Sequence, residues 1–410
     1  MLEATPIQAQ LADARGDPLR VLVVGAGVAG LTVAQLLRGQ GLHPVLVERS
    51  AHEAGSGYML ALMPLVDPVL ETLGVREPYL AASVGLDRYR FRNPAGRQLG
   101  QYSLASLFDR FGDYRGISRG ELLAVLGSGG GAVTYGTTVT ALDRRPAAVV
   151  ATLDDGSAPT EAEFDLVIAA DGLHSATRGL VLGPGRVATF DTGWGGWVAW
   201  AEPDQDVDLG EELWGAGAFV GTYPVKGHIG VIVAGPRSDT EAGTERFVAR
   251  VRGRTRSVGP RIERALEVVA RHPDAYYWPL TDCRSDAWSA GRVALLGDAA
   301  AGFLPTAGIG AAMAMESAWV LGSLLAEATP DRVPDLLGRY EASQRPRVEA
   351  AQANSRQLAR LMFFRGRVLS GLRNTVARFI PLRSALRPIT RLLREQPRPV
   401  PTPARSRVRR

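Results

Sequence analysis

The residues best suited to do chemistry lie near the start of the chain. Gly25-Ala26-Gly27-Val28-Ala29-Gly30 follows the β-branched run Val21-Leu22-Val23-Val24 and opens an amphipathic stretch that reaches Gly41. Gly25 lets the chain leave a buried strand in a tight turn. Gly27 lets the backbone approach a pyrophosphate, and Gly30 lets the next helix lie close on the strand. The free N–H groups and positive end of that helix then face the phosphates. A second apolar run, Val45-Leu46-Val47, ends at Glu48, 23 residues after Gly25, with Arg49 next. A carboxylate there can accept both ribose hydroxyls and disfavours a 2′-phosphate, which leaves NAD and FAD as ligands.

Two later stretches repeat the pattern of an apolar strand followed by Gly and Asp. Phe164 to Ala170 runs into Asp171-Gly172-Leu173-His174-Ser175-Ala176-Thr177-Arg178. Arg292 to Leu296 runs into Gly297-Asp298-Ala299-Ala300, then the Pro/Gly loop Pro305-Thr306-Ala307-Gly308-Ile309-Gly310 and an apolar helix from about Ala311 to Ala326. Between Ala299 and Met315 there is no charge, but Pro305 and the glycines break any membrane-spanning helix. Ser118 reads as a helix N-cap, which puts Arg119 in a first turn that usually favours acids. Something anionic opposite it would account for this; a solvent-facing side chain is the alternative.

The elements that must position these residues change style along the chain. Residues 1–17 read as a flexible leader, and Leu60 to Leu73 as a helix stopped by Gly74. Leu86 to Phe91 alternates as a half-buried strand. From Thr189 to Gly235 aromatics alternate with small residues, giving an antiparallel sheet with a filled apolar face. Val225 to Ala234 is a hairpin about Lys226-Gly227-His228, residues 241–272 are helical, and Tyr276 to Leu280 is another strand. Trp197, Trp214 and Tyr223 are the pocket candidates on this sheet, although each taken singly reads rather as a core aromatic.

Composition narrows the classes. At 410 residues, 46% hydrophobic and 22% charged, the chain is an ordinary globular enzyme in type, with room for two or three domains. One cysteine, Cys283, excludes a disulfide framework and a cysteine metal site. No metal-ligand, Ser-His-Asp or Walker signature appears, no nucleic-acid module is present, and His52, His174 and His228 read as solvated or structural. Residues 361–410 hold 13 Arg and one Glu, a net +12, which leaves −7 for residues 1–360 out of the total +5. The first residues lack a signal peptide's pattern, and a cytoplasmic location is expected.

The three stations occur in the order and style of one group. The chain resembles the flavoprotein monooxygenases of the p-hydroxybenzoate hydroxylase type, from about Leu19 to Arg360. The resemblance implies FAD, with NADH or NADPH as a transient co-substrate. It implies an α/β architecture in which a Rossmann-like FAD-binding βαβ domain is interleaved with an antiparallel-sheet α+β substrate domain, plus C-terminal helices. The expected division is 18–76, 112–185 and 285–345 for the FAD domain and 77–111 and 186–284 for the substrate sheet. C-terminal helices follow at 346–395, then a basic Pro/Arg tail at 396–410. By match, Glu48 would hold the adenosine ribose and Val139 would sit at the adenine. Arg119 would lie near the flavin phosphates or ribityl chain. Asp298 would bind the ribityl chain, and Asp171 and Gly172 would serve both FAD and NAD(P)H. Pro305, Gly308 and Gly310 would line the isoalloxazine, with the helix start at Gly310-Ala311 aimed at its pyrimidine edge. The chain departs from the pattern at Ala301, Ile309 and Glu316, where relatives often have His, Gln and Asp.

The reading that follows is an NAD(P)H-dependent FAD monooxygenase. A flavin hydroperoxide would transfer oxygen to a hydrophobic, aromatic small molecule such as a secondary metabolite. Partners are that substrate and dioxygen, and the chain is expected as a monomer or homodimer. Two alternatives stay open: a flavin reductase of isoprenoid lipids, its Arg-rich Phe363–Leu393 segment resting on a membrane surface, and a non-redox FAD-containing isomerase or cyclase. A flavin halogenase fits poorly, because Trp194-Gly195-Gly196-Trp197 is not the halogenase signature.

Overall fold

A computed structural model describes residues 2–397 apart from 53, 54, 56, 109, 216, 256, 257, 274, 327, 365 and 367–385. Its centre is a five-stranded sheet in the order Ser289–Ala290, Val293–Leu295, Leu166–Ala169, Val21–Val24, Val45–Val47. The last four strands are parallel and buried along their whole length. Their continuous apolar runs are what a sheet covered on both faces requires. Register decides the rest: Val24 lies beside Ala169, and Ala169 beside Leu295. Three strands therefore end level, and the turns at Gly25, Asp171 and Gly297 emerge side by side.

Helices Val28–Gly39 and Gly310–Leu325 leave two of those ends and pack on each other, with Gly322 against Leu36. A Cβ on Gly30 would collide with the Gly25 carbonyl oxygen, and one on Gly25 would stand 2.6 Å from the Ala170 carbonyl oxygen. These two glycines set how close the helix and the strand ends approach.

The second body is a seven-stranded sheet: Tyr277–Ser285, Val187–Ala201, His228–Pro236, Phe219–Val225, Leu209–Trp214, Arg88–Arg92, Gln98–Ser103 in spatial order. The hairpin between Phe219–Val225 and His228–Pro236 turns at Gly227, whose φ of 77° suits glycine. Helices Thr244–Arg254 and Pro260–Arg271 cover one face through Phe247, Val251, Ile262 and Leu266.

Several expectations are corrected. The leader is ordered: Glu3–Ala4 pairs with Ala132–Val133, and the helix Ile7–Asp13 docks through Gln10, which is 2% exposed. The Gln10 amide accepts from the Leu46 N–H at 2.9 Å and donates to the Leu46 carbonyl at 3.0 Å and to Thr134 Oγ1 at 2.7 Å. Together with Thr134, whose N–H donates to the same Leu46 carbonyl, it closes the edge of the parallel sheet, a tertiary contact that no local pattern announces. Met59–Leu62 is a strand paired with Arg115–Ser118; a 3-10 turn at Pro64–Val66 then leads into the helix Asp67–Leu73, which stops at Gly74 in a left-handed turn. Val84–Gly85 pairs with that same Arg115–Ser118 strand, so the small sheet joins segments on both sides of the expected boundary. The division at 345/346 falls inside one helix, Val333–Met362, which carries Pro346 in its interior.

The docked leader predicts that Gln10→Ala destabilises the fold by about 2 kcal/mol, the cost of leaving a buried backbone N–H unpaired. Urea denaturation reads this directly, and an unchanged midpoint would return the segment to the status of a loose leader.

Candidate functional site

The three level strand ends open onto one cavity of about 880 Å³. This lies at the upper end of the roughly 300–1,000 Å³ typical of ligand pockets. At the first station Leu31 N–H donates to the Gly27 carbonyl, and Gly27 supplies no side-chain cap. The N–H groups of Val28, Ala29 and Gly30 thus stand ahead of the first intrahelical bond. Space in front of Gly27 is open to 4 Å. Glu48 braces the turn, its Oε2 accepting from Ala26 N–H at 2.8 Å and its Oε1 from Ser50 N–H at 2.9 Å. Arg49 is exposed and outside the cavity wall. Val139 is 3% exposed and also outside it, on an antiparallel strand opposite Leu153.

At the second station Asp171 holds its own turn. Its carboxylate accepts from Ser175 Oγ and Thr177 N–H, while Ser175 Oγ caps the helix Ala176–Leu182 through Arg178 N–H. Gly172, at φ 81°, faces the cavity. The buried Arg178 guanidinium donates to the carbonyls of Leu173 at 2.8 Å and Ala299 at 3.1 Å. It ties the second station to the third.

At the third station Asp298 projects from a short turn into the cavity. Protein surrounds its carboxyl while one side stays open to the cavity's solvent, and burial pushes its pKa up to about 6, with Arg178 pulling the other way. Pro305–Ala307 and Gly308, at φ 58°, turn the chain into the helix Gly310–Leu325, whose N-cap Ile309 makes no side-chain cap bond. The helices Val28–Gly39 and Gly310–Leu325 therefore both present uncapped N-termini to the same space, and Gly310 and Ala311 line it. The helix Arg119–Gly127, in contrast, is capped by Ser118 Oγ, which accepts from Glu121 N–H at 3.1 Å. Its first residue, Arg119, lies on the cavity wall.

The opposite wall is the seven-stranded sheet, with Tyr89, Phe91, Glu212, Trp214, Phe219 and Tyr223 facing in. Trp214 and Tyr223 are thus brought to the cavity. Trp197 is not: it is 5% exposed on the other face, 5.7 Å from the Phe247 ring and 5.4 Å from Tyr277. Alternation along the strand gives the cavity Val198 instead. The residue that sequence reasoning missed is Glu212. Its carboxylate accepts from Trp214 Nε1 at 2.6 Å and from the hydroxyls of Tyr89 and Tyr223. Burial raises its pKa against these three hydrogen bonds. The available signal was the pair Glu211-Glu212 in an otherwise apolar strand, where alternation must send one acid to each face. Glu211 goes to the other face, against Arg90 and Arg92.

The C-terminal helix Arg387–Arg394 completes the enclosure with Pro388, Ile389 and Leu392, and Arg347 donates to its Leu392 carbonyl at 2.6 Å. Its apolar side turns inward and its arginines outward. The rest of the expected membrane-resting segment, at 365 and 367–385, and the tail from 398 onward lie outside the described residues. Among the described residues no helix is long and apolar enough to cross a membrane, and no group of three or more His, Cys, Asp or Glu is placed to hold a metal ion.

A family model described as an FAD binding domain matches residues 18–355. The 3-amino-4-hydroxybenzoate 2-monooxygenase PtnB3 of Streptomyces platensis is 31% identical over 362 residues, covering 82% of this chain and 87% of its own. The 3-amino-4-hydroxybenzoate 2-monooxygenase of Streptomyces cremeus is 32% identical over 353 residues, at 83% and 87% coverage. In fold, the chain is similar to Klebsiella pneumoniae HpxO complexed with FAD and uric acid. That TM-score is 0.80 at 24% identity, over 92% of this chain and 97% of that one.

The raised pKa of Asp298 carries a sign. Between its ordinary value of 3.8 and about 6 the folded, ligand-free protein binds the proton more tightly than the unfolded chain, so this group lowers stability as pH rises through that window. Asp298→Asn is expected to make the flavin-free protein more stable than its parent at pH 7 and nearly equal to it at pH 4. Denaturation midpoints at the two pH values check this; a difference independent of pH would remove the assignment.

Proposed function

Because this chain belongs to the flavoprotein monooxygenases of the p-hydroxybenzoate hydroxylase type and is an FAD-dependent oxidoreductase, we propose how its residues divide the work and what they act on. The observation that carries the reading is the pair of uncapped helix N-termini, at Gly27 and Gly310, opening into one cavity with an aromatic wall. The open space before Gly27 fits a diphosphate, which would take the N–H groups of Val28, Ala29 and Gly30. Glu48 has lone pairs left beyond its bonds to Ala26 and Ser50 for the adenosine ribose. Arg119 supplies positive charge toward the phosphates, and Asp298 accepts from ribityl hydroxyls. Pro305, Gly308, Gly310 and Ala311 form the cradle for the isoalloxazine.

Bound in this way, FAD supplies two-electron redox chemistry, reduced by NADH or NADPH and reoxidised by dioxygen, with one oxygen atom passing to the substrate. The protein's part is electrostatic and steric. The N-terminus of Gly310–Leu325 stabilises negative charge that develops before it. Arg178 holds the Asp171 and Asp298 turns together through backbone carbonyls. Tyr58, Trp278, Phe303 and the C-terminal Pro388, Ile389 and Leu392 keep water from the reacting centre.

The substrate we infer is an electron-rich aromatic small molecule bearing amino or hydroxyl groups. The names of the two Streptomyces relatives support this, as do the flat faces of Phe91, Trp214 and Phe219 on the wall. The nicotinamide co-substrates are intracellular reductants, which supports a cytoplasmic place of action.

Purified protein is expected to carry FAD and to oxidise NADH or NADPH faster when an aminophenol is added, with a product one oxygen atom heavier. Colourless protein that refuses FAD overturns the reading, and product formed without oxygen consumption favours the non-redox alternative. Glu48→Ala and Asp298→Ala are each expected to weaken FAD binding about tenfold or more, the cost of one to two hydrogen bonds to a charged group. Flavin content after purification and FAD titration of the stripped protein measure this; full flavin retention by both variants would undo the residue assignments.

A further inference from the structure

The sheet wall of the cavity carries a charge that the cofactor reading does not use. Leu209–Trp214 and Arg88–Arg92 run parallel with Gly210 beside Tyr89 and Glu212 beside Phe91, and Gly221 of the next strand lies beside Glu212. Alternation puts Tyr89, Glu212, Trp214 and Tyr223 on one face. Gly210 and Gly221 leave that face bare beneath the rings: a Cβ would stand 3.1 Å from the Tyr89 ring at the first and 2.8 Å from the Tyr223 hydroxyl at the second. The two phenols lie across these glycines and converge on Glu212, where Trp214 Nε1 also donates.

This arrangement fixes the polarity of the wall. Each tyrosine has one hydroxyl hydrogen and the indole one N–H, and all three are used within this cluster, on Glu212 or between the two phenols. What remains for a ligand is acceptor capacity: the phenol oxygens and the last of about four acceptor positions on the carboxylate. Arg90 and Arg92, on the same strand as Tyr89, point to the other face and pair with Glu211. Among the described residues, the basic ones that line the cavity, Arg119 and His174, stand with the cofactor stations, beside Gly57 and Gly172. Tyr114, whose hydroxyl lies near Gly308, is the neighbouring donor on the cofactor side.

We propose that Glu212 is a specificity-determining residue: it takes a hydrogen bond from an amino or hydroxyl group on the substrate ring and excludes rings that carry an ionised carboxylate at that end. The substrate class is then a neutral or cationic aminophenol, polyphenol or related aromatic amine. A carboxylate there would face a like charge and find its donors already engaged, a juxtaposition that costs enough to set a preference of tenfold or more. The inference rests on the aromatic-oxygenation reading and adds which aromatic molecules enter.

The test uses FAD-loaded protein and matched pairs in which a carboxylate takes the place of one of two adjacent donors: 2-aminophenol against 2-hydroxybenzoate, and 1,2-diaminobenzene against 2-aminobenzoate. Dissociation constants come from the perturbation of flavin absorbance. The parent should favour the uncharged member of each pair by about tenfold or more, and Glu212→Gln should narrow that ratio to about threefold or less, chiefly by admitting the carboxylates. Should the variant fail to fold, the parent's ratio across both pairs decides alone. Equal or tighter binding of the carboxylates, binding of neither member of either pair, or a ratio unmoved in a folded Glu212→Gln overturns the proposal. FAD retention and NAD(P)H-driven oxygen consumption by the same preparation would survive that failure, since they belong to the earlier reading.

Discussion

Val24, Ala169 and Leu295 stand level in adjacent parallel strands, and the site is built outward from that register. A slip of one residue in any of the three would turn its buried side chains to the opposite face and carry its turn out of line with the others. The hydrophobic cost of exposing a run such as Val167-Ile168-Ala169, at about 25 cal/mol per Å² of apolar surface, makes the slip prohibitive. Alignment of three polar turns is thus enforced by apolar burial beneath them. Gly25 and Gly30 finish the alignment by letting backbone meet backbone where a methyl group would not fit.

Polarity in the cavity is divided between its ends. At the cofactor side, two long helices start without side-chain caps, so that their N–H groups and the positive ends of their dipoles stay available to a ligand. Two shorter helices of the same body, Arg119–Gly127 and Ala176–Leu182, have serine caps of their own. The sheet side reverses this: donors are tied to one carboxylate, and acceptors face the cavity. An anionic cofactor and a donor-bearing substrate would each meet the wall that suits it.

A carboxylate enclosed by aromatic rings is a costly thing to fold, since removing such a group from water costs several kcal/mol. Three charge-assisted hydrogen bonds offset much of this. A leucine at 212 would avoid the cost altogether, so stability alone gives no reason for an acid there. Tyr89 and Tyr223 show the same trade: burial and the Glu212 charge raise their pKa values well above normal and keep both phenols protonated as donors.

Local pattern carried the glycine turn, the acid 23 residues on, the Ser118 cap and the three βα stations, because each is written in neighbouring residues at the spacing of one strand or one helix turn. Leu60 to Leu62 reads as the start of a helix and is a strand instead, since a short apolar run has no period of its own and its partner Arg115–Ser118 lies far along the chain. Gln10 at the sheet edge, Trp197 turned from the cavity and Glu212 turned into it were matters of tertiary structure. Which face of a strand meets a cavity depends on what covers the other face. Here that is a pair of helices some fifty residues downstream, and no stretch of sequence short enough to read as a motif contains both.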